Sequence, residues 1–197
     1  LSVLNGETGP RRDIVLLKYV GVNPVIVHGG GPEISRWLEK LGVKARFING
    51  LRVTDATTVE VAEMVLAGKI SKSIVSLINA AGGKAVSIGG KDGHLFIARR
   101  IKTAKNDLGL VGKIEQVNPT VIESLDRNGF IPVISSIAAG DEDESLNINA
   151  DEAASALAVA LKAMKLIYLT DVEGIKDEQG QLVARMSLSD TQRLIRK

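Results

Sequence analysis

"PVIVHGGGPEISRWLEKLG", residues 24–42, is the stretch that decides the fold class. Pro24–His28 is a short apolar run of strand length. After the glycines, Ile34, Trp37, Leu38 and Leu41 fall at i, i+3, i+4 and i+7, the spacing of one helix face. Pro32 suits a first helical position, and Gly42 suits a C-terminal cap. A strand that hands straight over to a helix is half of a βαβ unit, and such units build parallel sheets. The triple glycine at the handover has two readings. Glycine lets backbone come close to a phosphate, a carboxylate or another backbone. It is also what a tight turn needs.

Outward from this stretch the alternation continues. "ARFINGLRVTD" (45–55) places strand-like residues around Asn49-Gly50, a hairpin signal. A long helix is predicted from Thr57 to Ala81, with Thr57 and Glu60 as a capping box and Gly82-Gly83 as its stop. "KAVSIGG" and "HLFIARR" flank "KDG" and read as a second hairpin over 84–100. "NPTVIESLDRNG" is a helix, "FIPVISSIA" (130–138) a buried strand, "DEDESLNINAD" a polar loop and "EAASALAVALKAM" a helix. "KLIYLTDVEG" (165–174) reads as a further strand and turn, and "SLSDTQRLIRK" as a helix. Strands separated by helices give an α/β fold with a mainly parallel sheet and hairpin decorations. The opening "LSVLNGETGPRR" starts as strand and dissolves into turn residues, so the sequence reads as a piece of a longer protein.

Composition agrees. Hydrophobic residues make up 45% and aromatics 3%, a core of Val, Ile, Leu and Ala that suits parallel strands layered with helices. The 25 basic and 23 acidic residues are scattered without long runs, which argues against nucleic acid or an anionic membrane as partner. The chain has no cysteine, which excludes disulfides and thiolate catalysis, and two histidines, too few for a multi-histidine metal site. No apolar run reaches transmembrane length. A cytoplasmic location is the expectation.

Several polar stretches carry candidate chemistry. No G-x-x-x-x-G-K-[ST] and no G-x-G-x-x-G after a strand is present, so the common nucleotide fingerprints fail. Gly29–Gly31 lie where a strand ends and a helix begins, the place where open α/β sheets bind ligands and helix amides attract anions. Arg52 has the planar fork that captures a carboxylate or phosphate, although judged in isolation it reads more readily as a surface arginine. His28, a single ring without an evident partner, reads as structural. In "NINADEAA", Asn149 and Glu152 fit a helix cap, leaving Asn147 and Asp151 to project from the corner. "TDVEGI" (170–175) repeats the polar corner after the next strand. Together these corners point to a shared crevice for an anionic ligand.

"VHGGGP", "FINGLRVTD", "EMVLAGK", "GKDG", "IPVISSI", "NINADEAA" and "LTDVEGI" occur here in the same order as in acetylglutamate kinases, members of the amino acid kinase superfamily. The chain resembles that family from about residue 13 to 190. The resemblance implies a three-layer αβα sandwich and transfer of the γ-phosphoryl of ATP to the side-chain carboxylate of N-acetyl-L-glutamate. Mg2+ would be held mainly by the nucleotide phosphates, with no protein metal site. It implies Gly30 and Gly31 as backbone beside substrate and transferring phosphoryl, Arg52 as the clamp on a substrate carboxylate, and Asn147 as a second contact. Asp151 resembles the catalytic aspartate that orients lysines. Asp171, Val172, Glu173, Gly174, Ile175 and Lys176 align with the ATP site. The lobes would be 13–164 for substrate and 165–197 for the start of the ATP side, within one domain. Helix 57–81 resembles one that pairs subunits, which implies a homodimer or a dimer-based hexamer, with arginine or a regulatory protein as effector.

The chemistry fits this inventory. A glutamyl carboxylate with a pKa of about 4.3 is ionised at pH 7 and needs no general base. Phosphoryl transfer is largely positioning and electrostatics. Two departures stand beside the resemblance. A Lys-x-Gly-Gly motif expected before residue 13 and a Gly-Gly-Met-x-Pro-Lys motif expected after Lys197 are not in the sequence, and "ISKS" (70–73) replaces the Asn-Lys pair commonly seen there. Both charge-neutralising lysines lie in the two absent motifs. The alternatives are a non-catalytic lobe that holds N-acetylglutamate or arginine, and a sibling such as carbamate or aspartate kinase, against which "NGLRVTD" argues.

Overall fold

The computed structural model describes residues 10–48, 50–102, 107–141, 144–170, 172–177 and 179–195. The chain divides into two compact units, Leu1–Leu166 and Ile167–Lys197. In the first, the central strand is β7 (Ile131–Ser135), with β1 (Ile26–His28) and β4 (Ala85–Gly89) on either side, both parallel to it.

Alternation along β7 builds two cores. Ile131 and Val133 pack with Ile34 and Leu38 of α2 (Gly31–Lys40), Ile74 and Ile78 of α4 (Ser71–Ala80), and Val15 of α1 (Pro10–Tyr19). Ile134 points the other way, toward Ile122 of α5 (Thr120–Arg127) and Ala153 and Leu157 of α6 (Ala150–Ala160). Helices therefore cover both faces of a parallel sheet, and the αβα sandwich is present. Each fully buried Ile or Leu contributes about 1.5–3 kcal/mol.

A hairpin, β2 (Phe47–Ile48) with β3 (Leu51–Arg52), is antiparallel as expected; Asn49 lies outside the described residues. The long helix runs from α3 (Ala56–Glu63) through a π-helical stretch, Met64–Ile70, into α4. Its cap is Asp55, whose carboxylate accepts from Thr58 N at 2.7 Å, and not the predicted Thr57–Glu60 box. Asp55 stands one position before the first helical residue, where an acceptor reaches the free amides.

The predicted 84–100 hairpin does not form. β4 is packed on both faces and joins the parallel sheet. Strand β5 (Phe96–Lys102) buries Phe96 and Ala98 but exposes Ile97 and Arg99, and it pairs antiparallel with β6 (Asp107–Val117). A half-exposed strand belongs in an antiparallel ladder, a doubly buried one between helices. Strands β5, β6, β8 (Ile137–Ala139) and β9 (Ser145–Asn147) close into a small barrel. Two further readings change: 130–138 is two strands, and β9 occupies part of the stretch read as a polar loop.

In the second unit α7 (Leu188–Ile195) forms as expected. The strand expected at 165–174 is absent among the described residues. Leu166, Ile167, Tyr168 and Leu169 are exposed, and among the described residues of the second unit a bridge pairs Lys176 with Leu182. Apolar, strand-prone residues form a strand only where a neighbour takes up their backbone hydrogen bonds.

Candidate functional site

The C-terminal end of β1 runs into Gly29–Gly31 and then α2. A β-carbon on Gly30 would lie 2.1 Å from Ile70 Cδ1 and 2.9 Å from Leu66 Cδ2, so any larger residue would have to push the ends of both side chains aside. The α2 N-terminus has no side-chain cap, and Pro32 stands in its first turn. His28 is engaged: Nδ1 donates to Gly29 O at 3.2 Å and Nε2 accepts from Ser71 Oγ at 2.8 Å. Burial lowers its pKa, which keeps the ring neutral at pH 7.

Arg52 reaches this loop from β3. Its Nη2 donates to Gly31 O and to Ser35 Oγ, both at 2.8 Å, and its guanidinium carbon stacks 4.6 Å from the Phe47 ring centre. The residue is 7% exposed, yet Nη1 is buried without a partner. Burial pushes the guanidinium below its usual range, but an arginine stays charged at neutral pH. A buried, unpaired cationic donor is costly unless something fills it. A carboxylate oxygen is the matching acceptor.

Asn147 connects to Arg52 through Thr54. Asn147 Nδ2 donates to Thr54 Oγ1 at 3.3 Å, and Thr54 Oγ1 donates to Arg52 O at 2.9 Å. Thr54 is held in turn by β6: its N donates to Leu108 O and its O accepts from Leu110 N. Gly109, with φ +67° and a β-carbon position 2.2 Å from Thr54 O, permits that close approach. On the other flank, Asn149 caps α6 by accepting from Asp151 N at 2.8 Å and Glu152 N at 3.1 Å, as its spacing predicts. Ala150 Cβ lies 3.1 Å from the β-carbon position of Gly29, so the first turn of α6, with exposed Asp151, sits beside the glycine loop.

Gly31 is thus bonded to Arg52 with Gly30 next to it in the chain, Asn147 is one hydrogen-bonded residue away, and Asp151 flanks them. The residues aligned with an ATP site belong to the other unit. Val172, Glu173, Gly174, Ile175 and Lys176 lie in the second unit, all exposed, and Asp171 lies outside the described residues. Ser35, Phe47, Thr54 and Ser71 were not singled out from sequence. Ser35, one turn into α2, and Thr54, two residues along the strand from Arg52, were findable by periodicity. Phe47 and Ser71 were not.

The model of the amino acid kinase family matches residues 10–196. The chain belongs to the amino acid kinase family. Within that family it is 54% identical over 187 residues to the acetylglutamate kinase of Caldanaerobacter subterraneus subsp. tengcongensis, covering 93% of this chain and 62% of that protein. The chain thus spans about three fifths of the length of that curated relative. Among solved structures, smu.665 from Streptococcus mutans superposes with a TM-score of 0.87 at 31% identity, covering 99% of this chain and 79% of the other. N-acetylglutamate synthase from Neisseria gonorrhoeae, complexed with coenzyme A and N-acetyl-glutamate, gives 0.84 at 27% identity, covering 99% and 45%.

Proposed function

We propose that these residues form the substrate side of an acetylglutamate kinase, which transfers the γ-phosphoryl of ATP to the side-chain carboxylate of N-acetyl-L-glutamate in arginine biosynthesis. The observation that carries the reading is the buried, unpaired Nη1 of Arg52 beside the uncapped start of α2. Arg52 clamps one carboxylate, and Asn147, held by Thr54, takes a second polar contact. Gly30 and Gly31 offer backbone to the reacting carboxylate and the phosphoryl group. No general base is needed, which agrees with His28 being neutral and committed to Ser71 and Gly29.

ATP falls to Asp171–Lys176, and Asp151 orients the lysines that the family supplies in stretches outside this sequence. Mg2+ would be held mainly by the nucleotide phosphates. The exposed Met64 supports the reading of helix 56–80 as a subunit-pairing surface. No helix among the described residues is long and apolar enough to cross a membrane.

Calorimetric titration tests the reading. N-acetyl-L-glutamate should bind saturably, with L-glutamate, aspartate and carbamate failing to compete. No binding, or tighter binding of carbamate or aspartate, would remove the proposal.

A further inference from the structure

The helix from Ala56 to Ala80 is α-helical except at Met64–Ile70, where it widens into a π turn. Such turns are rare and concentrate at functional sites. Two separate contacts tie this one to the glycine loop. Ile70 and Leu66 press on Gly30, whose missing β-carbon leaves room for them. One residue further, Ser71 Oγ bonds His28, the residue that leads into the loop. All three helix residues are buried, with 4%, 1% and 1% exposure for Ile70, Leu66 and Ser71.

Geometry explains why the wider turn is needed. At roughly 100° per residue, an α-helix would put Ser71 about 140° round the axis from Leu66. The i→i+5 pattern of a π turn narrows that angle, so a polar and an apolar contact reach the same loop. The loop is thereby held at its entry, by a hydrogen bond at His28, and at its middle, by packing at Gly30.

We propose that Leu66, Ile70 and Ser71 are positioning residues, which fix the Gly29–Gly31 backbone where the ligand carboxylate is received without touching the ligand. This rests on the N-acetylglutamate reading above. A loop of three glycines has the largest backbone freedom a chain can offer, and a binding surface made of backbone needs that freedom removed. The side chains that remove it come from the π stretch and from Ser71, the first residue of α4.

Two measurements on the 197-residue chain decide this: hydrogen–deuterium exchange at Gly29–Gly31 and calorimetry with N-acetyl-L-glutamate. Ile70→Ala should speed loop exchange and weaken binding, each about tenfold or more. Ile74→Ala, equally buried one turn along α4, should lower the melting temperature similarly while changing exchange and affinity by less than about twofold. Ser71→Ala should weaken binding several-fold, and Ser71→Thr should restore it. Indistinguishable effects of Ile70→Ala and Ile74→Ala would overturn the proposal. Should Ile70→Ala fail to fold, wild-type exchange and affinity in Ser71→Ala would overturn it instead. If the unmodified chain binds no N-acetyl-L-glutamate, the functional reading falls, and loop exchange alone decides the positioning role.

Discussion

Helices α2 and α6 begin side by side and are finished in opposite ways. At α6 the Asn149 side chain satisfies two first-turn amides, from Asp151 and Glu152. At α2 a bare glycine occupies the cap position, no side chain closes the amides, and the nearest cation keeps one donor unused. The open end of α2 is exposed at Gly31, where water can take up its amides, whereas the Arg52 Nη1 beside it is buried and carries an uncompensated cost. The capped end is architecture. The open end is where the proposed ligand would bind.

That contrast can be broken at several points. The largest effect is expected from Arg52→Ala, which should weaken N-acetyl-L-glutamate binding by about 100-fold, or about 3 kcal/mol, read by calorimetry. Arg52→Lys, which keeps charge but loses the fork, should recover little of it. Next is Gly30→Ala. Its β-carbon collides with Ile70, so a loss of about 1–3 kcal/mol in denaturant unfolding is expected, partly relieved in the double variant with Ile70→Val. Asn149→Ala should cost about 1 kcal/mol of stability while leaving binding nearly intact, which separates the architectural end from the ligand end.

The smallest effect is pH-dependent. Burial holds His28 below its ordinary pKa of 6.5, so the unfolded chain takes up this proton at higher pH than the native one. Stability is therefore full above 6.5 and declines as pH falls through that value toward the native pKa. His28→Gln should flatten this slope in thermal melts. Asp55 acts lower on the scale. Hydrogen bonds from Thr58 hold its carboxylate below 3.8, and its contribution is lost only as pH drops through that lower range.

The elements around β1 and α2 were legible because their signals are local: an apolar run, glycines, and helical spacing with a proline. The Asn149 cap was legible for the same reason. The barrel was not. Strand β6 has glycines at 109 and 112 that weaken any strand pattern, and its place depends on Thr54 and β9, far away in sequence. The 84–100 segment misled because two strands joined by a glycine turn look like a hairpin, whereas their partners are decided by which faces are buried. Arg52 could be flagged from its neighbours in "NGLRVTD". Its unpaired atom, its stacking on Phe47 and the π turn beneath Gly30 exist only once separate elements meet.

The pairing of β7 also carries a consequence for how the chain assembles. Both other strands of the parallel sheet bond to β7, through pairs such as Ile26 with Val133 and Ala85 with Ile131, and β7 comes after both of them in the chain. During synthesis, then, β1, α2 and the long helix emerge before the strand that organises them and wait without a sheet to rest on. Such distant closure slows folding and leaves apolar faces open in the interval. Val133→Ala should accordingly slow refolding more than a core truncation of similar cost inside the long helix.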